Sequence, residues 1–436
     1  MKKEYVLHII LLTIFTTTVK TFAEVKKLTL EDCLEIVLSK NQQILQAKSK
    51  LDQASYKKYE SLSAYLPKLQ GQARYTKLSQ AQFQLPPSAT ALFGSSLSPA
   101  MTSDKIYTLN FTVTQLLFSS FKMYEFSRQA WINYEIAKQE YEKTKTDLTI
   151  KTKESFYRTL LTKNILDVAR ESLDISSESL QVSTFLYNEG RVSYFDLSNA
   201  KITFLNAKTS LLKIENGYKL AKESLQNLLN INEDIELFGK MEEIEKDLDY
   251  EKLKNNIMKL PDIQIILFQT KIMKSMTRNT VKEVLPTVAL TGSYDWTVDE
   301  YTKSFDQWDD RYSWTVSLVW PIFNGGGTLS RFAQMKESVK QLELTKESLE
   351  NVFELELKSL YLNYVQQKEM LKLNKESVEL AKENLGVAKT YYSQGRISHL
   401  ELLQSELNYS QSKINYYQTL SDYLINLSKL EKFNLK

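Results

Sequence analysis

The chain is poor in the residues that punctuate or staple a fold. Among 436 residues there are 11 glycines, 7 prolines, 2 histidines and a single cysteine. No proline occurs between Pro99 and Pro261, and none follows Pro321. Helix breakers are therefore missing over most of the length. One cysteine, Cys33, excludes an internal disulfide and a cysteine metal cluster, and a buried thiol in an amphipathic helix is the expected reading. With only His8 and His399, and His8 inside the N-terminal apolar segment, a histidine-based metalloenzyme or hydrolase is a poor fit. No phosphate-binding loop is present. The net charge of +3 is spread over interspersed Lys and Glu, as on solvated helix faces, and gives no case for nucleic acid. Beyond the N-terminus, no apolar run is long enough to span a bilayer as a helix.

The N-terminus does contain a short apolar run. Met1-Lys2-Lys3 is followed by Val6 to Phe15 and then Thr21-Phe22-Ala23. A basic start, a brief apolar middle and small residues at the end predict a secretory signal over 1–23, cleaved after Ala23. Cys33 sits too far beyond it to be a lipid-modified first residue.

The remainder says nearly the same thing twice. Tyr187-Asn-Glu-Gly190-Arg191-Val-Ser193-Tyr-Phe-Asp196-Leu197 returns as Tyr392-Ser-Gln-Gly395-Arg396-Ile-Ser398-His399-Leu-Glu401-Leu402. In both copies a long helical pattern precedes the glycine and another follows it, which predicts two helical hairpins. Apolar residues at three- and four-residue steps predict a helix over Leu30–Ser63 and another over Asp262–Val284. Leu66-Pro67 and Leu285-Pro286 end them. Alternation follows each: Leu69, Gly71, Ala73, Tyr75 and Leu109, Phe111, Val113 in the first half; Val288, Leu290, Gly292, Tyr294, Trp296 and Trp314, Val316, Leu318, Trp320 in the second. These are four strands in two hairpins, with loops over Gln80–Lys105 and Asp299–Asp310. Long helices are expected over Ser120–Tyr187 and Thr328–Tyr392, each about 100 Å long at 1.5 Å per residue. After the glycine motifs, seams are expected at Leu197, Ala200, Phe204, Ala207, Leu211 and at Leu400, Leu403, Leu407, Ser410, Ile414. Asn230–Pro261 reads as acidic and irregular.

Strands of about ten residues that alternate apolar and polar, with Trp296, Trp314 and Trp320 as an interfacial belt, fit a transmembrane barrel better than a sandwich. Four strands cannot close a barrel, since small barrels need about eight. Open edges in lipid leave N–H and C=O groups unpaired at several kcal/mol each. The chain is thus expected to oligomerise and to line a conduit in which helices continue the strands. The long hairpins alone would also suit a periplasmic coiled-coil adaptor or scaffold, but that reading needs a compact β-rich domain and leaves Trp314 to Trp320 unexplained.

On the Leu-Pro strand starts, the turn Trp320-Pro321-Ile322-Phe323-Asn324-Gly325-Gly326 and the two glycine motifs, the sequence resembles the TolC-like outer-membrane efflux proteins of Gram-negative-type bacteria. The resemblance implies a fold that is mainly α with β: a trimeric transmembrane β-barrel, four strands per chain, continuous with a long periplasmic α-helical barrel. It implies two repeats, 24–229 and 262–436, joined by an equatorial linker over 230–261. It implies no enzymatic activity and no cofactor, but an exit duct for efflux or type I secretion. The partners implied are two further copies of the chain, outer-membrane lipid, a periplasmic adaptor (membrane fusion) protein and an inner-membrane pump of the RND, ABC or MFS class. Periplasmic gate candidates are Asp196, Tyr392, Arg396, Glu401 and Gln404. Adaptor-contact candidates are Gly190, Arg191, Ser193, Gly395, Arg396 and Ser398. This chain departs from the family pattern in three places. Gln404 replaces an acid, the gating arginine falls one place early at Arg396, and the first strand-to-helix turn, Gln115-Leu116-Leu117-Phe118-Ser119-Ser120, lacks the Pro and the Gly pair.

Overall fold

The computed structural model describes residues 26–78, 105–298 and 305–434. The expected signal segment and the loop expected over Gln80–Lys105 (its last residue apart) lie outside them. The described elements, in chain order, are β1 (Lys26–Leu28), α1 (Leu30–Lys40), α2 (Gln42–Glu60), β2 (Lys68–Lys77), β3 (Lys105–Ser119), α3 (Lys122–Asn188), α4 (Tyr194–Leu229), β4 (Ile235–Leu237), α5 (Tyr250–Asn255), α6 (Pro261–Lys282), β5 (Thr287–Val298), β6 (Asp309–Val319), α7 (Gly327–Ser393) and α8 (His399–Leu430). The two long helices, α3 and α7, are 67 residues each. No described helix is long and apolar enough to cross a membrane. The chain divides into two compact units.

One unit, residues 50–138 and 265–346, holds a four-stranded sheet in the order β2-β3-β5-β6, antiparallel throughout. Register places Leu69 opposite Val113, Phe111 opposite Tyr294, and Gly292 opposite Trp314. Because side chains alternate across a strand, these residues share one apolar face. The other face is polar and internally bonded. Asn110 donates to Asp295 at 2.5 Å, Thr112 donates to Asn110 at 2.8 Å, and Ser293 lies 3.0 Å from Ser313 across the strands. Two glycines make room on the apolar face. A Cβ on Gly71 would stand 3.1 Å from the Phe111 ring, and one on Gly292 would stand 2.6 Å from Trp314. Each ring lies over the glycine opposite it, so both hairpins use the same packing device. The outer strands β2 and β6 each have only one neighbour within the sheet.

The strand-to-helix turns solve one backbone problem with different residues. After β6 the chain turns through Gly325 (φ 66°) and Gly326 (φ 81°). After β3 it turns through Ser120 (φ 53°) and Phe121 (φ 64°). A side chain in this left-handed region costs roughly 1–2 kcal/mol per residue. Offsetting contacts are present. The Ser120 hydroxyl lies 2.9 Å from the carbonyls of both Leu285 and Pro286, and Phe121 meets Phe118 edge-on at 5.7 Å. The missing Gly pair therefore does not abolish the turn. In the same unit, Trp131 stands apart from the hairpin tryptophans. With Tyr134 it covers the buried Lys58 ammonium at 4.4 and 4.3 Å, a cation–π arrangement.

The other unit comprises, among the described residues, 26–49, 139–264 and 347–434. Two expectations are corrected in it. The helix foreseen over Leu30–Ser63 is broken at Asn41, whose ψ of 134° is extended. Asn41 accepts from the Gln43 N–H and donates to the Leu228 carbonyl, both at 2.8 Å, so side-chain bonding competes with the helix. The stretch 230–261 is also not wholly irregular. β4 pairs in parallel with β1, and α5 adds a short helix. Leu28, Ile235 and Leu237 are buried there. The following segment is pinned by side chains: Tyr423 donates to the Ile244 carbonyl at 2.7 Å, and Lys246 pairs with Glu431 at 2.5 Å.

Gly292→Ala is expected to lower stability by about 1–3 kcal/mol through displacement of the Trp314 ring, and Gly71→Ala by less. Thermal melts of the two purified variants check the order.

Candidate functional site

The repeated glycine motif is, first, a way to stop one helix and start the next. Gly190 and Gly395 both sit at φ +71°, where a side chain is strained and glycine is not. At each turn the two N–H groups after the helix return to its last carbonyls. Gly190 donates to Tyr187 at 2.9 Å and Arg191 to Leu186 at 2.8 Å. Gly395 donates to Tyr392 and Arg396 to Tyr391, both at 2.9 Å. These are two Schellman stops. Four positions beyond each stop-ending glycine's predecessor, the next helix opens with a capping box. Ser193 caps the N–H of Asp196, whose Oδ2 accepts from the Ser193 N–H and hydroxyl. Ser398 and Glu401 repeat the arrangement, Oε2 accepting at 2.8 and 2.9 Å. Two of the gate candidates, Asp196 and Glu401, therefore each hold down a helix start with one carboxylate oxygen. The spacing Ser-x-x-Asp/Glu was a readable signal for this role.

The Ser398 N–H and hydroxyl hold the Glu401 carboxyl below the usual carboxylate range. A carboxyl lowered in this way contributes above its unfolded pKa, and the contribution is lost as pH falls through the folded value. The α8 cap is thus an acid-labile feature.

What the local motif does not require is the arginine. Arg191 leaves its own turn and donates through Nη2 to the Gln394 carbonyl at 2.8 Å, joining the first turn to the second. A Cβ on Gly395 would lie 3.1 Å from that same Nη2. Arg396, the equivalent arginine, is exposed. Gln404 is exposed and donates to Asn408 at 2.9 Å along its own helix.

The two copies of the motif differ in environment. Tyr392 is only 2 % exposed, and its hydroxyl lies 2.6 Å from that of Ser183 on α3. Burial pushes the phenol up, partly opposed by Ser183. Tyr187, its counterpart, is 39 % exposed. His399 is buried with Nδ1 3.5 Å from the Ser179 hydroxyl, while its counterpart Tyr194 is exposed. Ile175, Leu385, Ala388, Tyr392, Leu402 and Tyr409 form one core cluster. Near the turn, the buried face of α8 runs through His399, Leu402, Glu406 and Tyr409. Of the seam expected there, Leu400 and Leu407 are exposed, while Leu403, Ser410 and Ile414 are half-buried. Both faces carry apolar residues at helical spacing, so periodicity alone could not choose between them. The seam of α4 is half-buried at Leu197, Phe204, Ala207 and Leu211, and buried at Ala200.

The tryptophans occupy the sheet. Trp296 meets Phe111 edge-on at 5.9 Å, Trp314 covers Gly292, and the Trp320 indole donates to the Val284 carbonyl at 3.0 Å. Trp314 and Trp320 are exposed in the single chain.

A two-faced sheet and paired long hairpins define the class. The chain belongs to the outer membrane efflux protein family, whose profile matches residues 33–230 and 277–433. Its fold is shared with a membrane protein from Pseudomonas aeruginosa, at TM-score 0.79 and 16% identity over 93% of this chain and 93% of that one. The CmeC outer-membrane channel of Campylobacter jejuni gives TM-score 0.75 and 14% identity over 93% and 85% of the two chains. The VceC outer-membrane protein of Vibrio cholerae gives 0.73 and 16% over 93% and 95%. At these identities the likeness is one of fold. No curated protein matches the sequence. The protein is an outer-membrane efflux channel with a periplasmic extension, a passive conduit and not an enzyme.

Gly190→Ala is expected to cost about 1 kcal/mol, the backbone term alone, because a Cβ there meets nothing within 4 Å. Gly395→Ala should cost more by roughly 0.5–1.5 kcal/mol, through the Arg191 bond. In an Arg191→Ala background the two penalties should become equal, which a double-mutant cycle from denaturant unfolding measures.

Proposed function

We propose that three copies of this chain close a twelve-stranded barrel in the outer membrane, continued in the periplasm by their long helices. The carrying observation is the sheet itself. Four strands present one apolar face, one polar face and two outer strands with a free edge. Lipid accepts the apolar face but not the edges. Pairing β6 of one copy with β2 of the next removes every edge and turns the polar face inward, toward water.

The hairpins support the same closure. Inside one chain, the first hairpin covers Tyr392 and His399 of the second. Tyr187 and Tyr194 are the same positions left uncovered, and Leu400 and Leu407 form an apolar stripe on the far side of α8. Repeating the contact already made within the chain would cover Tyr187 and Tyr194 with the next copy.

On this reading, the repeats 24–229 and 262–436 supply equivalent hairpins, 230–261 forms an equatorial belt, and the segment 1–23 is removed on export. Trp296, Trp314 and Trp320 serve as the membrane aromatic belt. The turns at Gly190, Arg191, Ser193, Gly395, Arg396 and Ser398 form the periplasmic end, where a membrane fusion adaptor docks and couples the duct to an inner-membrane pump of the RND, ABC or MFS class. Asp196, Tyr392, Arg396, Glu401 and Gln404 lie at or near that end and are proposed to set its gate. Asp196 and Glu401 keep one oxygen for the pore after capping their helices, whereas Gln404 contributes no charge. The gate is therefore one carboxylate ring poorer than the family pattern implies.

Glu401→Ala is expected to change single-channel conductance or cation preference in planar bilayers, and unchanged channels would remove Glu401 from the gate. Gly190→Val and Gly395→Val should both reach the outer membrane as trimers yet fail in export. Normal export by both variants would count against docking at the turns.

A further inference from the structure

The core behind the second turn contains an acid that the hairpin does not need. Glu406 is only 6% exposed, and its Oε1 has no hydrogen-bond partner. The equivalent position in the first repeat is Lys201, exposed on α4, so a carboxylate at this site is not demanded by the hairpin geometry. Glu406 lines a cavity of about 230 Å³ together with Glu178 of α3 and Lys389 of α7. Lys389 already pairs with Glu178 at 2.6 Å. One ammonium thus faces two carboxyl groups and is bonded to only one of them, Glu178.

A buried carboxyl without a partner persists when it is neutral. Burial raises Glu406 to about 7, with Lys389 pulling down and Glu178 pushing up. About two turns earlier on the same buried face of α8, His399 has the opposite difficulty. It is buried with Nε2 unpartnered, and burial pushes its imidazole below the usual range against the attraction of Asp196 on α4. The other charged or titratable groups facing the layer are satisfied. Glu171 of α3 accepts from Tyr409 at 3.1 Å and pairs with Lys413 of α8 at 2.5 Å, and the Tyr392 hydroxyl of α7 meets Ser183.

We propose that this layer is a two-sided proton latch: α8 packs on α3 and α7 while Glu406 is protonated and His399 is neutral, and a charge on either residue releases it. When Glu406 loses its proton to water, its carboxylate competes with Glu178 for Lys389 and weakens the pair that ties α7 to α3. When His399 gains a proton, an unpaired imidazolium is left in the core beside Tyr392. The signs are opposite. A carboxyl raised in the packed state favours packing at low pH, and the advantage is lost as pH rises from about 4.5 through about 7. A lowered imidazole favours packing above its ordinary 6.5, and the advantage is lost as pH falls. Between pH 5.5 and 7.5 the two slopes oppose each other. The latch bears on export only because the turns are read as the gated end of the duct, and its test does not depend on that reading.

Hydrogen exchange of the full-length protein in detergent, corrected for the intrinsic pH dependence, reads the packing of peptides within 385–410. In His399→Gln, protection should fall about twentyfold from pH 5.5 to 7.5, following the tenfold per pH unit that a shifted group imposes until pH passes its folded value of about 7. In Glu406→Gln, protection should instead rise over the same interval. The double variant should be flat, and wild type should lie between the single variants. A His399→Gln protein whose protection does not fall, or a Glu406→Gln protein with the wild-type slope, overturns the latch. Planar-bilayer conductance of the same variants tests the gate reading separately: latch behaviour in exchange with pH-independent conductance rejects the turns as the gate, not the latch.

Discussion

Everything in the sheet-bearing unit answers to one constraint. Backbone N–H and C=O groups in a hydrocarbon layer need partners, and a four-stranded antiparallel sheet leaves two rows of them bare. The apolar face built from Leu69, Phe111, Tyr294, Trp314 and Val316 prepares the sheet for lipid, and the bonded polar face around Asn110, Asp295 and Ser293 prepares it for water. Neither face helps the edges of β2 and β6. On the proposed closure, such a chain is completed by copies of itself.

The helical unit is governed by a different economy, that of ending and restarting helices with few glycines. The repeated eleven-residue motif joins a Schellman stop to a capping box, so most of its repeated letters are explained by backbone chemistry: Gly for φ, Ser for the cap, Asp or Glu for the reciprocal bond. Function has to be argued from what remains. The arginine that crosses between turns is one such residue, and the buried Glu406 is another.

Much of this was legible in the sequence because it follows from strong local rules. Period-two alternation placed all four strands, and the absence of proline placed the two 67-residue helices. Paired Leu-Pro and Gly motifs exposed the repeat. What was not legible depended on contacts between distant residues. Asn41 breaks a helix because its side chain reaches Leu228. Ser120 and Phe121 adopt a glycine conformation because the Leu285 and Pro286 carbonyls and Phe118 hold them there. The three-residue strands β1 and β4 are too short for any periodicity to show. On α8, two apolar faces competed, and only packing revealed that Glu406 lies on the buried one. At the candidate gate, the sequence identified the carboxylates Asp196 and Glu401 but not that each is half-committed to a cap.

The measurement that bears most directly on the account is disulfide crosslinking between the free edges in outer membranes. Single cysteines would be scanned over Gln70, Gln72 and Arg74 of β2 and paired with cysteines at Ser313, Thr315 and Ser317 of β6, with Cys33 replaced. Edge-to-edge closure predicts that at least one pair gives a covalent ladder ending at three chains on non-reducing gels. Crosslinks confined within single chains, or none at any pairing, would contradict it.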